Sequence, residues 1–195
     1  MAEAVPLYIL AGGRSRRFGT DKARVCLGGQ PLVNRVVECL TPAASSVRVV
    51  GREAGQYDDL GLVTIADREA DLGPLGGVEA ALSDRLRREG PGLVAFAPCD
   101  WLSPTASWIE MLVAAARDAS GAAFVDLEGK WQPLPGVLHT GCISQVKTAL
   151  AEGEGSLWRL FEAIDGVAIP LPERLDQANT PAELRAFNSI STKKF

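Results

Sequence analysis

The sequence predicts an α/β fold, a three-layer α/β/α sandwich around a mostly parallel sheet, and three observations predict it. Short apolar runs alternate with helical patterns along nearly the whole chain. Units of that size place parallel strands side by side with helices on both faces. A glycine-rich loop, Asp67 and Asp100 each follow an apolar run. In such sheets that point is the carboxyl end of a strand, where ligands sit.

The elements follow in order. Residues 5–10 read as a buried strand that leads into the glycine loop. Residues 31–40 read as a helix: Pro31 suits a first turn, and Leu32, Val33, Val36, Val37 and Leu40 share one face. Residues 47–50 and 62–66 are short strands, the second ending at Asp67. Leu75, Val78, Leu82 and Leu86 carry a helix over 75–86. A strand at 93–97 runs into Pro98, Cys99 and Asp100, and a helix at 106–117 follows. Beyond it, strands are expected at 122–125, 136–139 and 167–171, and helices at 144–151 and 157–164. The last helix is announced by Thr180 as cap, Pro181 in the first turn and Glu183 completing a capping box. Residues 189–195 read as a frayed tail.

Composition narrows the function. The 195 residues carry 24 acids against 20 bases, a net charge of −4. That balance argues against broad nucleic-acid binding, which usually needs a basic face, and leaves room for a locally basic pocket for a small anionic ligand. No apolar run is long enough to span a bilayer. The opening MAEAVPLYIL has no basic n-region, so the expectation is no signal peptide, no membrane association and a cytoplasmic location. Cys26, Cys39, Cys99 and Cys142 are scattered without a CxxC pair, which argues against zinc. All four are expected to be reduced thiols acting as small buried hydrophobes. The expected assembly is a monomer or a weak homo-oligomer.

The chemistry concentrates in LAGGRSRRFGTDKA, residues 10–23. Gly12 and Gly13 let the backbone turn sharply and approach a ligand, and backbone N–H groups in such a loop form an anion nest. Arg14, Arg16, Arg17 and Lys22 add four positive charges against one from Asp21. Arginine forks onto phosphate oxygens and lysine acts as a point charge, so a triphosphate is the indicated ligand. The loop has neither the GK[ST] of a P-loop nor GxGxxG, which excludes a Walker site and disfavours nicotinamide or flavin. Asp100, at a strand end near this loop, is a natural magnesium ligand, since magnesium commonly takes one or two protein carboxylates. Asp67 has a weaker case, and Asp71 lies close by. The only histidine, His139, lies in the apolar run GVLHT and is expected in the core.

LAGGRSRRFGTDKA resembles the signature loop of the molybdenum cofactor guanylyltransferases, with Phe18 in place of the usual methionine. GGQPL (28–32), IADREADLGPLGGVEAAL (65–82), FAPCD (96–100) and QANTPAEL (177–184) extend the resemblance from about residue 7 to 187. It implies a Rossmann-like nucleotidyltransferase sheet in a single domain over 1–195. The nucleotide-binding half spans about 1–104 and the acceptor-binding half about 105–188. It implies transfer of GMP from GTP to the phosphate of molybdopterin, with magnesium as cofactor. Leu10, Ala11, Gly12 and Gly13 hold the nucleotide, Arg17 and Lys22 face its phosphates, Asp67 contacts the nucleotide, and Asp100 binds the metal. Gly12, in the LAGG form of the loop, is expected to make room for a guanine. Gln177 replaces an asparagine of the family pattern, Trp131 and Gln132 stand where a histidine is usual, and Asn179 matches. The residues leave open a cytidylyltransferase, for the same pterin or for a sugar or polyol phosphate, and an inactive nucleotide-binding regulator.

Overall fold

The computed structural model describes residues 4–12, 18–67, 73–178 and 180–191. In chain order they form β1 (Val5–Leu10), β2 (Cys26–Leu27), β3 (Gln30–Pro31), α1 (Leu32–Leu40), β4 (Ala44–Gly51), β5 (Thr64–Ala66), α2 (Pro74–Glu89), β6 (Leu93–Pro98), α3 (Ala106–Ala115), β7 (Gly121–Val125), β8 (Trp131–His139), α4 (Ile143–Ala151), α5 (Leu157–Ala163), β9 (Val167–Pro170) and α6 (Pro181–Ser191). Seven strands make one sheet in the order β5-β4-β1-β6-β8-β7-β9. All run parallel except β8, which is antiparallel to both β6 and β7. The mostly parallel sheet of the sequence reading is therefore present, with one reversed strand inserted between its two parts.

Alternation along the strands builds the three layers. Leu7 and Ile9 of β1, with Ala95 and Ala97 of β6, face a cluster that includes Val33, Val36 and Leu40 of α1 and Ile109, Leu112 and Val113 of α3. Their neighbours Tyr8, Val94 and Phe96 face the opposite cluster, with Leu75, Val78 and Leu82 of α2, Val146 and Leu150 of α4, and Leu157, Leu160 and Phe161 of α5. A period of two thus sends successive side chains to two helical layers. Trp101, Trp108 and Phe124 run in a column, with ring centroids 5.2 Å apart at each step. A third, smaller cluster joins α6, through Leu184 and Phe187, to Phe18, Leu27, Leu32, Leu102 and Ala178. No described helix is long and apolar enough to cross a membrane.

Several local expectations are corrected. Pro31 ends β3 and precedes α1 in an extended conformation rather than occupying its first turn. The β2–β3 hairpin was not anticipated; its two-residue loop is Gly28–Gly29, with φ of 61° and 84°. Positive φ at both central residues is what a type I′ hairpin turn requires. β8 begins at Trp131 rather than 136. Its register against β7 jumps from Gln132 to Gly136, leaving Pro133 and Pro135 outside the ladder, as residues without an N–H must be. Helix α6 continues through Ser191 into the stretch expected to fray. Its capping box is formed: the Glu183 N–H donates to Thr180 Oγ1, and the Thr180 N–H donates to the Glu183 carboxylate, both at 3.2 Å.

Candidate active site

Parallel pairing brings the ends of β1, β4, β5 and β6 to one edge. Leu10 lies opposite Val50 on one side and Pro98 on the other, and Gly51 lies opposite Ala66. The chain then leaves each strand tied to its neighbour. The Ala11 N–H donates to the Val50 carbonyl (2.9 Å), the Asp67 N–H to Gly51 (2.7 Å) and the Cys99 N–H to Leu10 (3.3 Å). Ala11, Gly12, Asp67 and Asp100 therefore share one edge.

Asp67 is buried and packs between two glycines. A Cβ on Gly12 would meet its Oδ2 at 3.2 Å, and one on Gly77 would meet it at 3.8 Å. The Cβ direction of Gly12 is thus closed by a carboxylate of the chain itself.

Lys22 opens a single 3-10 turn, Lys22–Arg24, and donates to the Oδ2 of Asp100. The two side chains are 14% and 12% exposed, shielded enough that the ion pair is not a screened surface contact. The Lys22 ammonium also lies 5.4 Å from the Phe18 ring centroid. Asp100 is braced by the C-terminal segment. The Ala178 N–H donates to the Asp100 carbonyl (3.3 Å), the Leu102 N–H donates to the Asp176 carbonyl (2.8 Å), and the backbone of Trp101 bridges that of Gln177. FAPCD and QANTPAEL, 77 positions apart at Asp100 and Gln177, are thus adjacent in space.

The turn that carries Lys22 rests on residues the sequence reading missed. The Asp21 carboxylate accepts from the Ala23 N–H (3.1 Å), Tyr57 Oη (3.0 Å) and Gln56 Nε2 (3.1 Å). Arg24 forks onto Asp59 at 2.7 and 2.9 Å and donates to the Gln56 carbonyl at 2.6 Å. The one signal available was Asp21 itself, a lone acid in a basic loop.

Strand direction places the second half at the same edge. β7 and β9 are parallel and end at Val125 and Pro170, and the antiparallel β8 begins there with Trp131 and Gln132. Trp131 is half-buried and stacks on Phe161, with centroids 5.5 Å apart and planes at 26°. Gln132 Nε2 donates to Asp126 (3.3 Å). N–H groups from Lys130 and Glu128 hold the Asp126 carboxyl below the usual range. His139 lies at the opposite end of β8, half-buried, where its Nδ1 accepts from the Gly141 N–H at 3.0 Å. It is therefore neither a core residue nor part of this edge.

Cys99 and Cys142 are buried, but Cys26 and Cys39 are exposed, which corrects the expectation for those two. Burial, and then the Asp100 charge, push the Cys99 thiol up to about 12, so it is not a nucleophile near neutral pH. Gly13, Arg14, Arg16, Arg17, Asp71 and Asn179 lie outside the described residues. Among the described residues no group of three or more His, Cys, Asp or Glu gathers as a metal cage. The one shielded carboxylate at the end of β6 suits a hard cation that takes few protein ligands.

The MobA-like NTP transferase domain family matches residues 7–167. The molybdenum cofactor guanylyltransferase of Pseudomonas putida is 34% identical over 194 residues, covering 95% of this chain and 100% of that one. The protein of the same name from Serratia proteamaculans is 32% identical, covering 84% of this chain and 82% of its own. Among solved structures, molybdopterin-guanine dinucleotide biosynthesis protein A of Archaeoglobus fulgidus superposes with a TM-score of 0.79. It is 23% identical, and the match covers 97% of this chain and 100% of that one.

Proposed function

The chain belongs to the MobA-like NTP transferase family, and on that footing we propose that it transfers GMP from GTP to the phosphate of molybdopterin, releasing pyrophosphate. The observation that carries the reading is the Lys22–Asp100 pair at the strand edge, beside the loop Leu10–Ala11–Gly12. A phosphate oxygen of the acceptor attacks the α-phosphorus of GTP, and pyrophosphate leaves. The acceptor is already anionic, so no strong general base is required. The protein's part is positioning and charge neutralisation.

Lys22 is assigned to the triphosphate as a point charge. Arg17 and Gly13 belong to the same assignment by their place in the motif. Asp67 is assigned a nucleotide contact and Asp100 the metal. A magnesium ion held by Asp100 would supply charge neutralisation on the phosphates when bound. Trp131 and Gln132 are assigned to the acceptor side.

The test is pyrophosphate release and product mass with molybdopterin and magnesium, comparing GTP, CTP and ATP. GTP is expected to support turnover alone. Equal turnover with CTP would overturn the guanine assignment and leave the transferase chemistry. Nucleotide binding without pyrophosphate release from any of the three would make the chain a nucleotide-binding regulator.

A further inference from the structure

We propose that Tyr57 and Gln56, acting through Asp21, are positioning residues that hold Lys22 against Asp100; the inference rests on the assignment of Lys22 to the triphosphate. The turn Lys22–Arg24 has only three residues, too short to fix its own geometry. Its direction must therefore come from what grips its ends.

Both ends are gripped by one segment, the connection after β4. Asp21 precedes the turn and is held by the Tyr57 hydroxyl and the Gln56 amide, while Arg24 closes it on Asp59 and the Gln56 carbonyl. The Arg24 guanidinium also lies 5.2 Å from the Tyr57 ring centroid. Lys22, between these two anchors, reaches the end of β6.

The anchors are themselves fixed. Tyr57 is fully buried, and its N–H donates to Thr64 Oγ1 at 3.2 Å, beside β5. Gln56 cross-links the network, accepting from the Arg52 N–H at 2.7 Å through Oε1 and donating to the Tyr57 hydroxyl at 3.0 Å through Nε2. Burial, and then the Asp21 charge, raise the Tyr57 hydroxyl above its ordinary range, so it remains a donor at neutral pH. Three donors thus converge on the Asp21 carboxylate, and two of them, the Tyr57 hydroxyl and the Gln56 amide, come from outside the turn. A network of this kind sets side-chain direction more sharply than a single contact does. Gln56 also lies against Gly51 at the end of β4, and the network's link to the residue assigned to the triphosphate is Lys22. Its loss should therefore appear in turnover only while Lys22 is present.

A double-mutant cycle reads this out. Lys22→Ala is expected to lower kcat by roughly 10²–10³. Tyr57→Phe, which removes the hydrogen bond to the Asp21 carboxylate and the one accepted from Gln56, should lower it by roughly 10-fold or more. In the Lys22→Ala background the same change should cost no more than about twofold, because the two act through one group. Melting temperature, measured on all four proteins, should fall by the same amount for Tyr57→Phe in both backgrounds. Gln56→Ala, at a partly exposed side chain, carries the same cycle if Tyr57→Phe does not fold. Multiplying losses, with Tyr57→Phe as costly without Lys22 as with it, would overturn the inference and leave the Lys22 assignment standing. Unchanged turnover in Lys22→Ala would overturn that assignment and the inference with it.

Discussion

Asp84 and Asp100 are nearly equally buried, at 6% and 8% exposure, yet the chain treats them in opposite ways. Asp84 sits inside α2, where it packs on the sheet. Tyr8 of β1 donates to it at 2.8 Å, Arg87 donates at 3.2 Å, and Arg48 of β4 lies at 3.5 Å. Its acceptor capacity is taken up within three elements of regular structure. Asp100 follows a strand end, and its salt-bridge partner comes from a loop turn whose anchors lie elsewhere. The difference teaches that burial alone does not separate a framework carboxylate from the one assigned to the metal. What matters is whether its partners belong to the packed framework or to segments at the ligand edge.

The sharpest way to break that comparison is to remove each carboxylate's role in turn. Asp84→Ala leaves Arg48 buried without its counter-charge and should cost about 3–5 kcal/mol of stability in denaturant unfolding. Turnover per folded molecule should be unchanged. A variant that kept its stability and lost turnover would reverse the distinction. Lys22→Ala should lose roughly 10²–10³ in kcat per folded molecule, about 2.7–4 kcal/mol, and its unfolding midpoint should fall as well, because the shielded Asp100 loses its counter-charge. Asp100→Asn belongs with it: the response of turnover to magnesium should vanish while the fold survives, and an intact response would move the metal assignment to Asp67 or Asp71.

Tyr8→Phe sharpens the structural side. Removing a hydrogen bond to a charged acceptor should cost about 1.5–3 kcal/mol. Burial, and then Asp84, raise the Tyr8 hydroxyl above its ordinary value. Its contribution is therefore full below about pH 10 and is lost as pH rises beyond that. Stability against pH should accordingly fall less steeply above pH 10 in Tyr8→Phe than in the parent. The smallest effect is expected at Thr180→Ala, which removes one half of the α6 capping box and should cost about 1 kcal/mol. Because α6 packs on Leu102 near Asp100, a loss of turnover beyond that stability change would extend the functional region to this helix.

What was legible in the sequence was local. The strand alternation of β1 and β6, the faces of α1 and α2, and the Thr180–Glu183 box all depend on residues a few positions apart. The clustering of Gly12, Asp67 and Asp100 at one edge followed from the strand-then-loop pattern. The β2–β3 hairpin escaped because two-residue strands carry no period, although Gly28–Gly29 was a turn signal. The start of β8 escaped because Pro133 and Pro135 interrupt its pattern. The reversed direction of β8, the Tyr8–Arg48–Asp84 cluster and the grip of Tyr57 on Asp21 were not legible. Each joins residues 36 or more positions apart, through pairings that only the folded sheet creates.

The bridge between Trp101 and Gln177 ties the loop after β6 to a late part of the chain. β6 is finished at Pro98, and β9, the last strand of the sheet, at Pro170. The backbone that braces Asp100 arrives only with residues 176–178. Along the chain, all seven strands are therefore complete before the backbone that supports the loop after β6. The sheet and the brace on Asp100 are thus drawn from separate stretches of sequence, and the brace belongs to none of the strands that carry the sheet.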